Sequence, residues 1–451
     1  MKKNEKIIWN EKIPFIKEMK EFYYKMKYRG INLWPVMANE TYTYYLSPEK
    51  DRKMKVLAFL KYLFTKDNFK IYGKKGRIFV SYIMAREDHH ELMKKALKNF
   101  SEKELTWLDA YQYKSKKSLF KFSYSFPNVF LFFKIYNKFR RYKFKNLKGW
   151  MKWHFITRTY FRYKQINQFI KIYQEYSPKA YIAFCSQAFP EETIFTLICK
   201  KNNIPTFTMQ HGIVAEYPHF HGASILNENI LSDFHLIWGK STYETLRKFT
   251  SLSRLIIVGN PKYYSLIENN SKRFESKKGA IFFPVPGGEA DTNEKMAKAI
   301  NDFAKRHPQI IFEASVHPFD NSENYKRIID SENIIFVDSN IPIMGRIENS
   351  DLILLHNTTI AIEALRYQKP IFRFNDKFLI DLWKNNDKFK DADELDKHFK
   401  KLQDPKEFGK CKTFYGKEFE KNFKITPEKE TSQRYYEEIT RLINAFYHKN
   451  T

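Results

Sequence analysis

Cysteine is nearly absent from this 451-residue chain. Cys185, Cys199 and Cys411 are odd in number and have no CxxC spacing, so neither a disulfide framework nor a zinc site is expected, and all three should be reduced and buried. Long apolar runs are missing as well. No stretch approaches the roughly 20 uninterrupted apolar residues that a spanning helix needs. The first residues, Met1 to Met19, mix Lys, Glu and Asn with single hydrophobics and lack the apolar core of a signal peptide, so a cytoplasmic protein is expected. Acid is missing from one long segment: Ala110 to Gln174 holds no Asp or Glu but sixteen Lys and Arg, more than half of the net charge of +28.

A positive field of that size favours an anionic partner: nucleic acid, anionic lipid or a phosphorylated substrate. Within the acid-free segment Phe130, Phe132, Phe133, Tyr136, Trp150 and Trp153 alternate with bases that include Arg140, Arg141, Lys143 and Lys145. Rings and cations together suit a bilayer interface with anionic headgroups. The competing reading is a solvated helical face whose aromatics enter a core. A nucleic-acid-binding protein is the third reading, but the basic run contains no base-reading motif, so no nucleic acid is expected.

The length exceeds what one core usually fills, and 43% hydrophobic residues suffice for two. Short apolar runs alternating with helical segments predict βαβ units with parallel sheets. In the first half Arg77 to Met84, Ala180 to Cys185, Ile204 to Met209, Phe234 to Trp238 and Leu255 to Val258 read as strands. Pro190 with Glu191 and Glu192 opens a helix, as proline at the first helical position and acids in the first turn should. Gly259-Asn260-Pro261 then begins a linker. Ala280 to Phe283, Ile310 to Val316, Ile334 to Val337, Leu352 to Leu355 and Pro370 to Phe374 make a second series of five, which closes there. The predicted class is α/β, with two Rossmann-like domains facing each other across a cleft. Residues 1–262 form the acceptor side, 275–425 the nucleotide side, and 426–451 a helix packing back on both. Trp34-Pro35-Val36-Met37 carries no pattern that assigns an element.

In open α/β sheets ligands bind beyond the carboxyl ends of the strands. Gly287 and Gly288 follow one such end, where absent side chains let backbone amides approach a phosphate. His317 follows another, and Asn357, Thr358 and Thr359 a third, with Glu363 one turn further on as a candidate acceptor for ribose hydroxyls. In the first half His211 follows a strand and precedes glycine, which projects its imidazole toward the cleft as a general base. Glu191 or Glu192 would orient it or replace it; His219, His221 and Asp233 are reserves. Asp88-His89-His90 reads as a capped helix start rather than a metal site. No metal is expected, although Asp376 and Asp381 stand near a strand end.

The ordered series Thr208-Met209-Gln210-His211-Gly212, Val258-Gly259-Asn260-Pro261, His317-Pro318, Ser350-Asp351-Leu352 through Thr358-Thr359-Ile360-Ala361-Ile362-Glu363-Ala364, and Lys369-Pro370 resembles the GT-B polysaccharide transferases. These include CDP-glycerol glycerophosphotransferases, capsular Kdo transferases and bacterial sialyltransferases. The resemblance implies transfer of a sugar or polyol phosphate from a nucleotide-activated donor, cytidine-linked ahead of uridine-linked, to a capsule or lipopolysaccharide-type acceptor. It implies that His317 with Pro318 and the Thr358-Thr359 pair hold the donor phosphate, that His211 is the base, and that no cofactor beyond the nucleotide-activated sugar is needed. Gln210 stands where glycerophosphotransferases often carry tryptophan, and an acidic pair with glycine typical of sialyltransferases is not evident. A UDP-N-acetylglucosamine 2-epimerase-like enzyme, which shares the fold and a His-Pro near the nucleotide, is the second expectation. The site of work implied is the inner face of a plasma membrane, reached by peripheral contact with a glycan or lipid-linked acceptor.

Overall fold

Ala180–Ala183, Thr206–Met209 and Leu352–Leu355 are buried at every position, which requires sheets covered by helices on both faces. The computed structural model describes residues 13–46, 65–67, 69–83, 87–109, 122–124, 128–147, 149–216, 227–262, 266–267, 271–284, 290–317, 320–338, 343–380, 382–385, 387–423 and 430–448.

The first large sheet contains β1 (Ile71–Tyr72), β2 (Ile78–Tyr82), β3 (Leu105–Asp109), β4 (Ala180–Ala183), β5 (Thr206–Met209), β6 (Phe234–Ile237) and β7 (Leu255–Ile257). Their order is β7-β6-β5-β4-β2-β3-β1, parallel except for the edge strand β1. The second contains β8 (Lys278–Phe282), β9 (Ile311–Ser315), β10 (Ile334–Phe336), β11 (Leu352–Leu355), β12 (Ile371–Phe374) and β13 (Lys388–Phe389), all parallel in the order β10-β9-β8-β11-β12-β13. That is the 3-2-1-4-5-6 order of dinucleotide-binding sheets, with its switch point between β8 and β11. The first sheet switches between β2 and β4.

The expected series of five strands therefore continues to a sixth. β13 is two residues long, too short for a periodic signal, and is registered by the Asn375 amide donating to the Phe389 carbonyl at 2.7 Å. Arg373, fully buried on β12, knots this edge. Its guanidinium donates to both Asp387 oxygens and to the Ile380 and Trp383 carbonyls and lies 4.4 Å from the Trp383 ring.

The halves share one apolar cluster. Tyr82, Phe184, Met209 and Trp238 pack with Phe282, Ile347, Leu355 and Ile362. Gly239 abuts the end of the helix Pro405–Asn422, where a Cβ would fall 2.3 Å from the Asn422 carbonyl oxygen. The helix Thr431–His448 returns to the first half: Arg434 Nε donates to Val258 O at 2.8 Å, and Tyr447 Oη donates to Lys179 O at 2.7 Å. Cys185 and Cys199 are buried as expected, whereas Cys411 is only half-buried.

The acid-free segment divides into two physical parts. The helix Trp150–Tyr176 turns its arginines and His154 inward: Arg158, Arg162 and His154 gather on Glu40, and Arg162 also meets Glu191. Burial raises the Glu40 pKa, but the surrounding Arg158, His154 and Arg162 outweigh it and hold the carboxyl far below its ordinary value. Sequence counting read these bases as surface field; they are internal anchors whose acids come from other elements. The helix Val129–Arg141, capped by the Asn128 side chain, buries Ile135 and Phe139 but leaves Phe130 90% and Phe133 55% exposed. Arg140 and Arg141 at its end, and Lys143 and Lys145 beyond it, are exposed. Among the described residues no helix is long and apolar enough to cross a membrane.

Candidate active site at the facing strand ends

Parallel strands deliver all their carboxyl ends to one edge, so the loops leaving β8, β9 and β11 share an edge with β8 in the middle. His317 lies two residues beyond β9, and Asn357, Thr358 and Thr359 directly beyond β11. Gly287, Gly288 and Pro318 lie outside the described residues, as do His219, His221 and Asp381.

The two hydroxyl residues differ in role. Thr358 Oγ1 accepts from the Ile360 amide at 3.3 Å, whereas Thr359 is exposed. Asn357 is structural: its side chain donates to Phe378 O and accepts from Ile380 N, both at 2.8 Å. Glu363 is half-buried in the first turn of the following helix, Ile360–Leu365. Beneath them, buried His356 meets Asp376 at 3.0 Å, and Asp376 also accepts from the Thr292 hydroxyl and the Phe378 amide. Burial raises the Asp376 pKa, but Thr292, Phe378 and His356 outweigh it and keep the carboxyl below its usual range. Asp376 thus braces the loop. Among the described residues no group of three or more His, Cys, Asp or Glu is arranged to hold a metal.

Across the cleft, β5 ends at Met209 and the chain turns through Gln210-His211-Gly212. Gln210, almost fully buried, pins the turn to the neighbouring strand: its Nε2 donates to Gly212 O at 2.9 Å and its Oε1 accepts from Trp238 N at 2.8 Å. An ideal Cβ on Gly212 would lie 3.9 Å from Thr359 Cγ2. The His-Gly turn of one half therefore lies close to Thr359 of the other. His211 is half-buried, its ring 5.0 Å from Phe184 and 5.8 Å from His89.

His89 is the residue that sequence reading missed here. The helix starts at Glu87, one residue before the expected cap, so Asp88 falls inside its first turn and His89 faces the strand-end cluster. The available signal was its position after β2, at the first sheet's switch point. Arg346 was missed too; it lies buried beside the ends of β8 and β9.

The carboxylates expected beside His211 have other partners. Glu192, 1% exposed, accepts from the Cys185 amide at 2.6 Å and from Ser81 Oγ at 3.1 Å. Burial drives its pKa up to about 8 against those hydrogen bonds, so it is protonated at neutral pH. Glu191 accepts from Gln165 Nε2 at 2.9 Å and pairs with Arg162. Asp233 belongs to the opposite edge, where it pairs with Lys200 and accepts from Thr206 at the start of β5. Buried His235, on β6, is pushed down to about 3 by desolvation, with the charges of His211 and Arg254 adding to it.

No family model matches the chain, and no curated protein matches it in sequence. Solved structures do. S. aureus MnaA in complex with UDP superposes with a TM-score of 0.52 at 13% identity, covering 82% of this chain and 97% of that one. A proposed UDP-N-acetylglucosamine 2-epimerase from Listeria monocytogenes gives 0.51 at 10% identity, covering 83% and 98%. The lipopolysaccharide outer core galactosyltransferase WaaB gives 0.47 at 14% identity, covering 81% and 99%. With the two doubly wound sheets, the likeness to the first two establishes the fold as GT-B.

Proposed function

We propose that the chain is a glycosyltransferase that moves a sugar, or a polyol phosphate, from a nucleotide-activated donor to a capsule or lipopolysaccharide-type acceptor. The observation that carries this reading is the approach of Gly212 to Thr359, which brings a half-buried imidazole to the strand ends where a donor phosphate would lie. In this reading His317, Thr358 and Thr359 donate to phosphate oxygens, with Gly287, Gly288 and Pro318 completing the loops. His211 removes the proton of an acceptor hydroxyl as that oxygen attacks, and the donors around the phosphate stabilise the departing nucleotide. Inversion at the anomeric carbon is expected of such a direct displacement. Cytidine-linked donors come first, on the sequence resemblance.

An epimerase is the second reading, motivated by the UDP-binding and epimerase neighbours of the same fold. One panel tests both. Thermal stabilisation is measured against CMP, CDP, UDP and GDP, since a ligand bound only by the native state raises the melting point, by about 2.7 kcal/mol of stability at a hundredfold excess over Kd. A nucleotide response with sugar transfer only when acceptor is added supports the transferase; sugar interconversion without acceptor supports the epimerase. No response to any nucleotide refutes both.

The acceptor side of this reading is a membrane surface. Exposed Phe130 and Phe133 stand on a helix whose carboxyl-terminal end carries Arg140, Arg141 and the following Lys143 and Lys145, a pairing of rings and cations suited to anionic headgroups. Purified protein is expected to float with anionic vesicles. Neutralising those four bases should abolish flotation, each contributing about 1 kcal/mol near the surface. Undiminished flotation of the neutralised variant would remove this face from the role.

A further inference from the structure

A guanidinium carries five N–H donors and keeps its charge in a protein, so a buried arginine needs acceptors around it. Arg373 meets that demand with two carboxylate oxygens and two carbonyls. Arg346 does not. It is 5% exposed on the helix Ile343–Asn349, and its hydrogen-bond partner is the Ser315 hydroxyl, reached by Nη1. Among the described residues its Nε has no partner, and its guanidinium lies 5.5 Å from the Phe282 ring. Ser315 and Phe282 are the last residues of β9 and β8 and are register partners, so this charge sits at the edge from which the chain runs on to His317 and to Gly287-Gly288. Glu313 supplies an opposing field but makes no ion pair with it; burial dominates and pulls the guanidinium's pKa down.

We propose that Arg346 is an anion-binding residue of the second half, its guanidinium taking a phosphoryl oxygen of the nucleotide donor at the carboxyl ends of β8 and β9. The assignment rests on the donor-site reading above and adds to it a charged ligand that the His-Pro and Thr-Thr resemblance does not contain. A phosphate supplies an acceptor for the Nε that finds none among the described residues, and guanidinium geometry matches it through paired N–H donors. Ser315 then orients the fork, and the Phe282 ring forms one wall of its pocket.

The test compares the full chain with Arg346→Met and Arg346→Lys. Calorimetric titrations use UDP, CDP, inorganic pyrophosphate, and the nucleosides uridine and cytidine. Replacing Arg346 by methionine should weaken the diphosphate that binds the native chain by about tenfold to a hundredfold, the worth of one hydrogen bond to a charged group, and leave the nucleoside unchanged. Lysine should restore part of the loss. The ligand-free melting temperature of Arg346→Met should equal or exceed that of the native chain, because an uncompensated buried charge has been removed, whereas Arg373→Met should melt well below it. Pyrophosphate binding without nucleotide binding would assign the subsite to the inorganic anion and overturn the donor assignment. If the native chain binds a diphosphate and Arg346→Met binds it equally well, Arg346 alone leaves the site. Failure of both variants to fold, or a loss of stability like that of Arg373→Met with unchanged affinity, would make it a structural residue. A native chain that binds no nucleotide and no pyrophosphate overturns the donor-site reading together with this one.

Discussion

Replacing His211 by alanine is expected to lower turnover by about 10² to 10⁴, the range that general-base catalysis supplies, while donor affinity changes little. The separation of the two effects follows from position. His211 belongs to the first half, and the donor phosphate is assigned to loops of the second. The variant also leaves in place the two bonds by which Gln210 ties the turn down, to Gly212 O and from Trp238 N. The alternatives for the proton are weak: Glu192 is protonated at neutral pH and held by the Cys185 amide and Ser81, and Glu191 is engaged by Arg162 and Gln165. His89 is a titratable neighbour that the folded chain adds, 5.8 Å from His211 ring to ring, and buried His235 is another whose charge couples to His211. Measuring kcat and donor Kd for His211→Ala, and the pH profile for His89→Gln, separates base from neighbour. Near-native turnover of His211→Ala would remove it from the role; a displaced pH profile for His89→Gln with donor binding intact would mark His89 as tuning it.

The strands were legible because a strand covered on both faces must be apolar throughout. Leu352–Leu355 matches its expected bounds, and Ala180–Ala183, Thr206–Met209 and Ile371–Phe374 fall within theirs. What escaped lacks such a signal. The helix Leu33–Leu46 buries Leu33, Trp34, Val36, Met37, Thr41, Tyr42 and Tyr44 around much of its circumference, so no apolar stripe marks it, and Pro35 obscures its first turn. The helices Ala392–Leu402 and Pro405–Asn422 did carry readable starts: Asp391 caps the Glu394 amide, and Asp404 caps ahead of Pro405.

The site was legible only as a set of strand ends. Strand order, which no single chain position encodes, determines that the loops after β8, β9 and β11 are neighbours. The approach of Gly212 to Thr359 joins residues almost 150 positions apart, so no spacing rule reaches it. Arg346 escaped for a different reason. In sequence it is one more base on a short helix, and the burial that leaves its Nε without a partner among the described residues exists only after folding.

Glu192 gives the largest expected effect on stability. Its ordinary pKa of 4.5 rises to about 8 on folding, because burial outweighs the hydrogen bonds from Cys185, Ser81 and Phe184. Between those values the unfolded chain has released the proton and the native chain has kept it. Stability therefore falls as pH rises, by up to about 1.4 kcal/mol per pH unit, and the loss is complete above about pH 8. His235 works in the opposite sense. Its pKa drops from 6.5 to about 3, so the unfolded chain binds a proton that the native chain refuses, and stability is lost on acidification through that window. The two slopes cancel where the windows overlap, between 4.5 and 6.5, and Glu192 alone acts from 6.5 to 8. Glutamine at position 192 mimics the protonated carboxyl: its carbonyl accepts from the Cys185 amide, and its amide donates to Ser81 Oγ once that hydroxyl turns its own proton to Tyr181 Oη. Urea unfolding of native chain and Glu192→Gln should thus give similar stabilities near pH 4.5 and a gap that widens in favour of the variant up to pH 8, where it reaches a few kcal/mol by the same linkage. A gap that stays constant across that range would mean that Glu192 ionises normally in the folded protein, and would return it to the list of candidate bases.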